Sequence, residues 1–399
     1  MMKKLSMTVV SAIAGLSAGA WADTAPAGPG LDKVLAASGI TEQGYIEAAY
    51  NYYSYSAPGG TNLAPTGMNY FDNRANSFDL KQAFLQLAKQ PAEGVGGLVN
   101  ITTGSDADWI KSAPYSQRAA SNSFDLTQAF LQYAHGIYTA SAGKFVTMAG
   151  AEVINDLSNT NISHSIAFLN AIPFTHTGAR FTIAPNSTYS IMLGEVNGWD
   201  QQQAYSAQKT TEWCLLFNPT AMVSWSLQGY YGDATPSAYT PTVANLVAAP
   251  ATANGKLINN KTVSGILATR NLVDTVLTVK PTAALSLILN ADYAKQDRAF
   301  TDNTAAVWTA VDVYVNYQFN DQWRTSLRLE NFDDKEGYKL GYGVGNTKSS
   351  TLTVGYAPIP AFEVRAEVRE DKAPQAVIPK GSGVTDSVGY AAVEGIYKF

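Results

Sequence analysis

Apolar and polar residues alternate with a period of two along most of this chain, in stretches separated by turn-forming residues. Over 311–319, Val311, Val313, Val315, Tyr317 and Phe319 alternate with Asp312, Tyr314, Asn316 and Gln318. After the two-residue turn Asn320-Asp321, Trp323, Thr325, Leu327 and Leu329 alternate with Arg324, Ser326, Arg328 and Glu330. Over 361–370 the apolar set is Phe362, Val364, Ala366 and Val368, set against Glu363, Arg365, Glu367 and Arg369. Successive side chains of a strand point to opposite faces, so each stretch reads as a strand with one apolar and one polar face. The pattern predicts sixteen strands: 44–55, 78–89, 94–104, 124–134, 137–146, 176–184, 188–198, 210–218, 221–232, 270–280, 283–295, 306–318, 322–332, 347–357, 361–371 and 387–399.

Connections between these strands alternate strictly in length. Short ones such as His135-Gly136, Pro219-Thr220 and Pro281-Thr282 are followed by long ones such as 147–175 and 233–269. An even number of antiparallel strands, with tight turns at one end and long loops at the other, describes a transmembrane β-barrel whose termini both lie on the short-turn side. A β-sandwich also alternates along each strand, but its loops have no reason to alternate in length. A solenoid needs a fixed repeat. The one internal echo, Asn76 to Gln86 against Asn122 to Gln132, occurs twice and stops.

Parity fails at that echo. In strand 78–89, Gln82 and Gln86 fall on one face and Asp79 and Lys81 on the other, so neither face suits lipid. One escape is that this strand and 124–134 pack against a neighbouring subunit, which would suggest a homotrimer.

Composition agrees with strand alternation. Of 399 residues, 15% are charged, against a usual share of about 25%, yet no apolar run after residue 22 is long enough for a transmembrane helix. Tyrosine is abundant, and Tyr50, Tyr52, Trp225, Tyr231, Tyr317, Phe319, Trp323 and Phe399 lie near strand ends, where aromatic girdles sit at membrane interfaces. Residues 1–22 read as a secretory signal, with Lys3 and Lys4, an apolar core from Met7 to Leu16, and Ala20-Trp21-Ala22 as the cleavage site. Residues 23–43 would then be an N-terminal periplasmic segment and 44–399 the barrel. Losing the two leader lysines takes the net charge from −5 to −7, and no basic stripe for nucleic acid is present. The lone Cys214 leaves no intramolecular disulfide.

Three stretches resemble the OmpL-like β-barrel porins: Gly143-Lys144-Phe145 through Ala171 to Arg180, Asn271 to Asp274 leading to Lys280-Pro281-Thr282, and Ser77 to Phe84. The resemblance implies an outer-membrane location and pore activity, with small hydrophilic solutes or ions as the transported class, and leaves the solute open. It also implies that loop 147–175, between strands 5 and 6, folds inward and narrows the barrel. The terminal Val393, Gly395, Tyr397 and Phe399 resemble the signal read by the outer-membrane assembly machinery, with Tyr397 and Phe399 its aromatic members.

If apolar positions face lipid, the opposite parity faces the lumen. That assigns Arg324, Arg328, Glu330, Glu363, Arg365, Glu367 and Arg369 to the pore lining, together with Arg180 and Asp312. An arginine at the bilayer midplane costs about 2–4 kcal/mol, which favours the inward placement. The inner loop adds Glu152, Asp156 and His164 as constriction residues. Two readings of these charges stay open. Acids on the loop could face the arginines across a gap and set a transverse field, or Glu363 with Arg365 and Glu367 with Arg369 could simply pair within the wall. Loop 233–269, rich in Ala, Thr and Pro, could be an external lid or a binding surface.

Catalytic signals are weak. No H-E-x-x-H or Cys/His cluster is present, so no metal or other cofactor is expected. Ser163-His164-Ser165 after Asn161 lies within one loop, where adjacent residues seldom build a triad. Gly341 to Gly345 is glycine-rich but no helix is expected after it. The chain reads as a channel, with a substrate-specific channel or a scaffold for a partner protein as the alternative.

Overall fold

Sixteen antiparallel strands close into one barrel. They are β1 (Thr41–Tyr53), β2 (Ser77–Lys89), β3 (Gly94–Thr103), β4 (Phe124–His135), β5 (Tyr138–Val146), β6 (Thr175–Ile183), β7 (Tyr189–Val196), β8 (Thr210–Thr220), β9 (Val223–Asp233), β10 (Thr269–Val279), β11 (Leu285–Gln296), β12 (Ala306–Gln318), β13 (Trp323–Asp334), β14 (Gly345–Ile359), β15 (Phe362–Lys372) and β16 (Ser387–Lys398). Each pairs with its neighbours in sequence, and β16 closes the ring on β1 through Tyr45↔Lys398, Ala49↔Glu394 and Tyr53↔Tyr390. Closure leaves no open sheet edge in lipid, where an unpaired backbone group costs several kcal/mol. Every predicted strand is present, with ends within three residues of expectation.

The computed structural model describes residues 35, 37–55, 69, 71–112, 123–204, 207–233, 268–340, 345–376, 378–380 and 383–399. The predicted leader, most of the segment 23–43 up to residue 34, nearly all of loop 233–269 and Gly341 to Val344 lie outside the described residues.

The outer wall carries the apolar parity. On β12, Val311 and Val313 are exposed while Asp312 and Tyr314 are buried. All eight aromatic residues expected in girdles are exposed. Cys214 faces inward on β8 and is buried, with Gln228 as its neighbour.

Two β-bulges remove the parity conflict at the echo. The β1–β2 register shifts between Glu47↔Gln82 and Ala48↔Leu80, which leaves Lys81 as the extra residue. The β3–β4 register shifts between Asn100↔Gln128 and Ile101↔Leu126, which leaves Thr127 extra. A bulge places two consecutive residues opposite one and so reverses the facing beyond it. Asp79, Lys81 and Gln82 are therefore all buried, while Phe78, Leu80, Leu85 and Leu87 form an exposed apolar outer face. That face is ordinary lipid surface, and the parity ground for a subunit contact at these strands disappears.

The last residue is also fitted. A Cβ on Gly44 would run into the Phe399 ring, and Phe399 N–H donates to the Gly44 carbonyl at 3.1 Å. Glycine at position 44 lets the terminal ring lie flat on β1.

Inside the barrel the long-loop end is filled. One apolar cluster gathers Phe71, Ile110, Phe168, Trp199, Phe300, Tyr338 and Ile378 from seven different long loops onto inward-facing Tyr53, Tyr230, Trp308 and Tyr390. Fully burying a side chain such as Phe or Ile contributes about 1.5–3 kcal/mol, so the loops are held across the mouth rather than standing clear of it.

Candidate functional site

The segment 147–174 between β5 and β6 is built to expose its own backbone to the wall. Its ends meet through Thr147 N–H to the Phe174 carbonyl at 2.9 Å. A single 3-10 turn, Asp156–Ser158, is capped by Asn155, whose side chain accepts from Leu157 N–H. Ser165 caps the short helix α1 (Ile166–Asn170) by accepting from Phe168 N–H at 3.0 Å. The helix sequence Ile-Ala-Phe-Leu-Asn is buried throughout, which a solvent-exposed loop would not permit. Between the turn and the helix, residues 159–165 form no regular structure and bend at 160–163, so their N–H and C=O groups must find partners elsewhere.

Those partners are wall side chains. Glu367 on β15 accepts from Ile162 N–H at 2.7 Å and from Ser163 N–H at 3.0 Å. Glu330 on β13 accepts from Ile166 N–H at 2.6 Å. Arg369 donates to the His164 carbonyl at 2.7 Å, Arg324 to the Thr160 carbonyl at 2.8 Å and Arg365 to the Asp156 carbonyl at 3.3 Å. Asn290 accepts from Ala151 N–H at 2.6 Å, Tyr45 from Asp156 N–H at 3.0 Å, and Trp308 donates to the Ala171 carbonyl at 3.2 Å.

Arg328 is the centre of this network and is fully buried. It donates to Glu152 and to Glu330, each at 2.7 Å, to the Ser163 carbonyl, and to Thr351 at 3.2 Å. Tyr314 also reaches Glu152, at 3.1 Å. The structure thus brings the arginine column and the loop acids together in direct contact. Arg324 pairs with Glu363 at 2.6 Å, and Arg365 with Glu363 and Glu394, both at 3.3 Å. Arg369 pairs with Asp371 at 2.7 Å rather than with Glu367, which is taken up by the loop backbone. Arg180 lies apart, bonded to Glu212 at 2.7 Å and stacked over Phe145. Asp312 is buried opposite Glu330 in the β12–β13 ladder.

His164 faces Asp156 at 3.4 Å and Asn159 at 3.3 Å, between the rings of Phe71 and Phe168. Burial pushes its imidazole down to about 4, with the Glu152 carboxylate acting in the opposite sense. A histidine depressed in this way stabilises the packed loop while neutral, and that contribution is lost as pH falls from its unfolded value near 6.5 towards 4. Conductance recorded from pH 8 down to pH 5.5 should therefore show the same profile in the wild type and in His164→Gln; a step near pH 6.5 present only in the wild type would contradict the buried neutral ring. No hydrogen bond joins His164 to Ser163 or Ser165 among the described residues, and Ser163 Oγ is instead engaged by Glu367, Arg328 and Arg369. Among the described residues no group of His, Cys, Asp and Glu is arranged to hold a metal ion.

Several inward charges escape sequence reading. Lys81 is hidden by the bulge. Glu47 and Glu394 are isolated acids on strands that otherwise show few charges. Their signal was parity alone, since Tyr45, Glu47, Ala49 and Asn51 share one face of β1. Asp274 and Asp292, directly paired across the β10–β11 ladder, join Asp312 of the next strand, which parity had already placed inside. Among the buried charged side chains described, eighteen are acidic and seven basic, and acids remain in excess by count when the part-buried Arg180 and Arg324 are added.

A closed sixteen-strand barrel with charged residues inside, lipid-compatible residues outside and a loop bonded across the lumen defines the class of outer-membrane porins. The chain belongs to the family described as "Putative beta-barrel porin-2, OmpL-like", which matches residues 39–399. No curated protein matches it. Among solved structures, the anion-selective porin from Comamonas acidovorans aligns with a TM-score of 0.58 at 8% identity, covering 90% of this chain and 99% of that one. The outer membrane channel DcaP of Acinetobacter baumannii gives 0.56 at 12% identity, covering 90% and 97%. OprB of Pseudomonas putida gives 0.55 at 12%, covering 93% and 96%. These likenesses describe the fold.

Proposed function

We propose that the lumen carries small hydrophilic solutes by passive diffusion and prefers cations over anions. The observation that carries this reading is the more than twofold excess of acidic over basic side chains in the buried interior. A narrow, low-dielectric passage lined by one net sign concentrates the opposite ion. The test is the reversal potential of the refolded mature protein in a planar bilayer across a salt gradient. Discrete steps with a potential of cation-selective sign are expected, and a potential of anion-selective sign overturns the preference. Arg324 is the most accessible of the four paired arginines on β13 and β15, so Arg324→Glu should shift the potential further towards cations. An unchanged potential would remove Arg324 from the conducting path.

A substrate-specific channel is the second reading, supported by the apolar cluster that draws seven loops across the mouth. Conductance that saturates with one solute favours it over general diffusion. The same proposal includes export by the leader 1–22, Tyr397 and Phe399 as the signal for the assembly machinery, pore-lining roles for the charges named above, and assembly as a homotrimer, the state named for one OmpT structure of Vibrio cholerae with this fold at 9% identity.

A further inference from the structure

Of the six buried carboxylate oxygens without a well-formed hydrogen bond among the described residues, five lie together inside the barrel: both of Glu47 on β1, both of Glu394 on β16, and Asp72 Oδ1 between β1 and β2. The two glutamates are 0% and 1% exposed. An unpaired buried carboxylate is costly, and the usual remedy is a cation close by. Here that cation is Lys81. Its Nζ lies 3.3 Å from Glu47 Oε1, 3.2 Å from Asp72 Oδ1 and 3.8 Å from Glu394 Oε2, and it donates to the Ile162 carbonyl of the inner loop at 3.1 Å. Arg365 touches Glu394 from the other side at 3.3 Å but is shared with Glu363. Three carboxylates and a carbonyl thus surround one ammonium.

The distances say which kind of cation suits the place. Calcium and magnesium sit about 2.0–2.6 Å from their oxygens, and no such group exists among the described residues. Contacts of 3.1–3.8 Å to four oxygens spread around one nitrogen match a group with three N–H donors. The echo strand supplies an internal comparison. Its bulge turns Thr127 inward at the equivalent position, and Thr127 only donates to Thr102 Oγ1 at 2.8 Å. The bulge recurs, whereas an ammonium stands at this position on β2 alone, ringed by acids from β1, the β1–β2 connection and β16.

We propose that Glu47, Asp72, Glu394 and the Ile162 carbonyl form a binding station for small primary ammonium cations, and that the Lys81 side chain is its tethered occupant. Placing the station on a cation route rests on the cation-preferring reading above; the binding chemistry does not. Shortening Lys81 empties the position while leaving all four acceptors, so a small protonated amine should take its place.

The test uses the full mature chain carrying Lys81→Ala, refolded and followed by the thermal loss of its folded electrophoretic mobility. In sodium chloride the midpoint should fall below the wild type, and an equal concentration of methylammonium chloride should restore at least half of the loss. Tetramethylammonium, which has no N–H, should restore none. Combining Lys81→Ala with Glu47→Gln and Glu394→Gln should abolish the methylammonium effect. Equal midpoints of Lys81→Ala in all three salts would overturn the proposal. Should the variant fail to refold in sodium chloride, recovery of the folded band in methylammonium supports the station and its absence overturns it. An anion-selective reversal potential of the wild type would sink the cation reading by itself and leave this rescue readable.

Discussion

Removing residues 150–171 and joining Ala149 to Ile172 through two glycines should convert the barrel into a wide channel. Sixteen strands enclose an aqueous lumen unless something fills it, and the filler here is the segment between β5 and β6 together with the loops packed on it. The excision is mild for the wall because Thr147 and Phe174 are already hydrogen-bonded, so a short bridge spans the gap. Single-channel conductance should rise by about fivefold or more, on the reasoning that conductance follows the open cross-section at the narrowest level. A folded, heat-modifiable barrel with wild-type conductance would show that the narrowest level lies elsewhere, for example among the loops at residues 199, 300 and 338.

The second large effect is expected at Arg328. Arg328→Met keeps most of the side-chain volume but leaves Glu152 and Glu330 buried beside an apolar group, and it removes donors to the Ser163 carbonyl and Thr351. Breaking a buried ion pair by deleting one partner costs about 3–5 kcal/mol, because the surviving charge is stranded. The loss should appear as a lower denaturant midpoint for the loop, read by proteolytic cutting within 150–171, while the folded electrophoretic mobility of the barrel persists. Arg328→Lys should recover little, since an ammonium cannot address two carboxylates and a carbonyl in one plane. Adding Glu152→Gln to Arg328→Met should recover part of the loss by removing one stranded charge. Equal protease resistance in wild type and Arg328→Met would contradict the central place given to this arginine.

How much of this was legible in the sequence depended on whether a feature repeats. The barrel strands were legible because lipid enforces the same parity over eight or more residues, as Val311, Val313 and Val315 show on β12. The bulges were not, because a single extra residue reverses parity and looks the same as noise; Lys81 beside Gln82 gave conflicting faces and no means to choose between them. The inward charges of β13 and β15 could be named, but their partners could not. Arg369 bonds Asp371, two residues on, and Glu367 bonds backbone N–H groups some two hundred residues away, at Ile162 and Ser163. Backbone acceptors and donors carry no letter in a sequence. The inner loop's apolar helix was similarly mute, since Ile166 to Leu169 reads equally well as a buried strand of ordinary length.

The inner loop is gripped by its main chain. Glu367, Glu330, Arg369, Arg324, Asn290 and Trp308 all hold peptide groups of the segment, while side-chain contacts gather at Glu152 and Ser163. Such a clamp is indifferent to lettering and strict about length. Positions such as the exposed Val153 can therefore be rewritten to set what the channel admits, whereas inserting or deleting one residue between Thr160 and Ile166 shifts the peptides of Ile162, Ser163 and His164 off their partners. A library for altered transport should randomise side chains there and leave the count of residues alone.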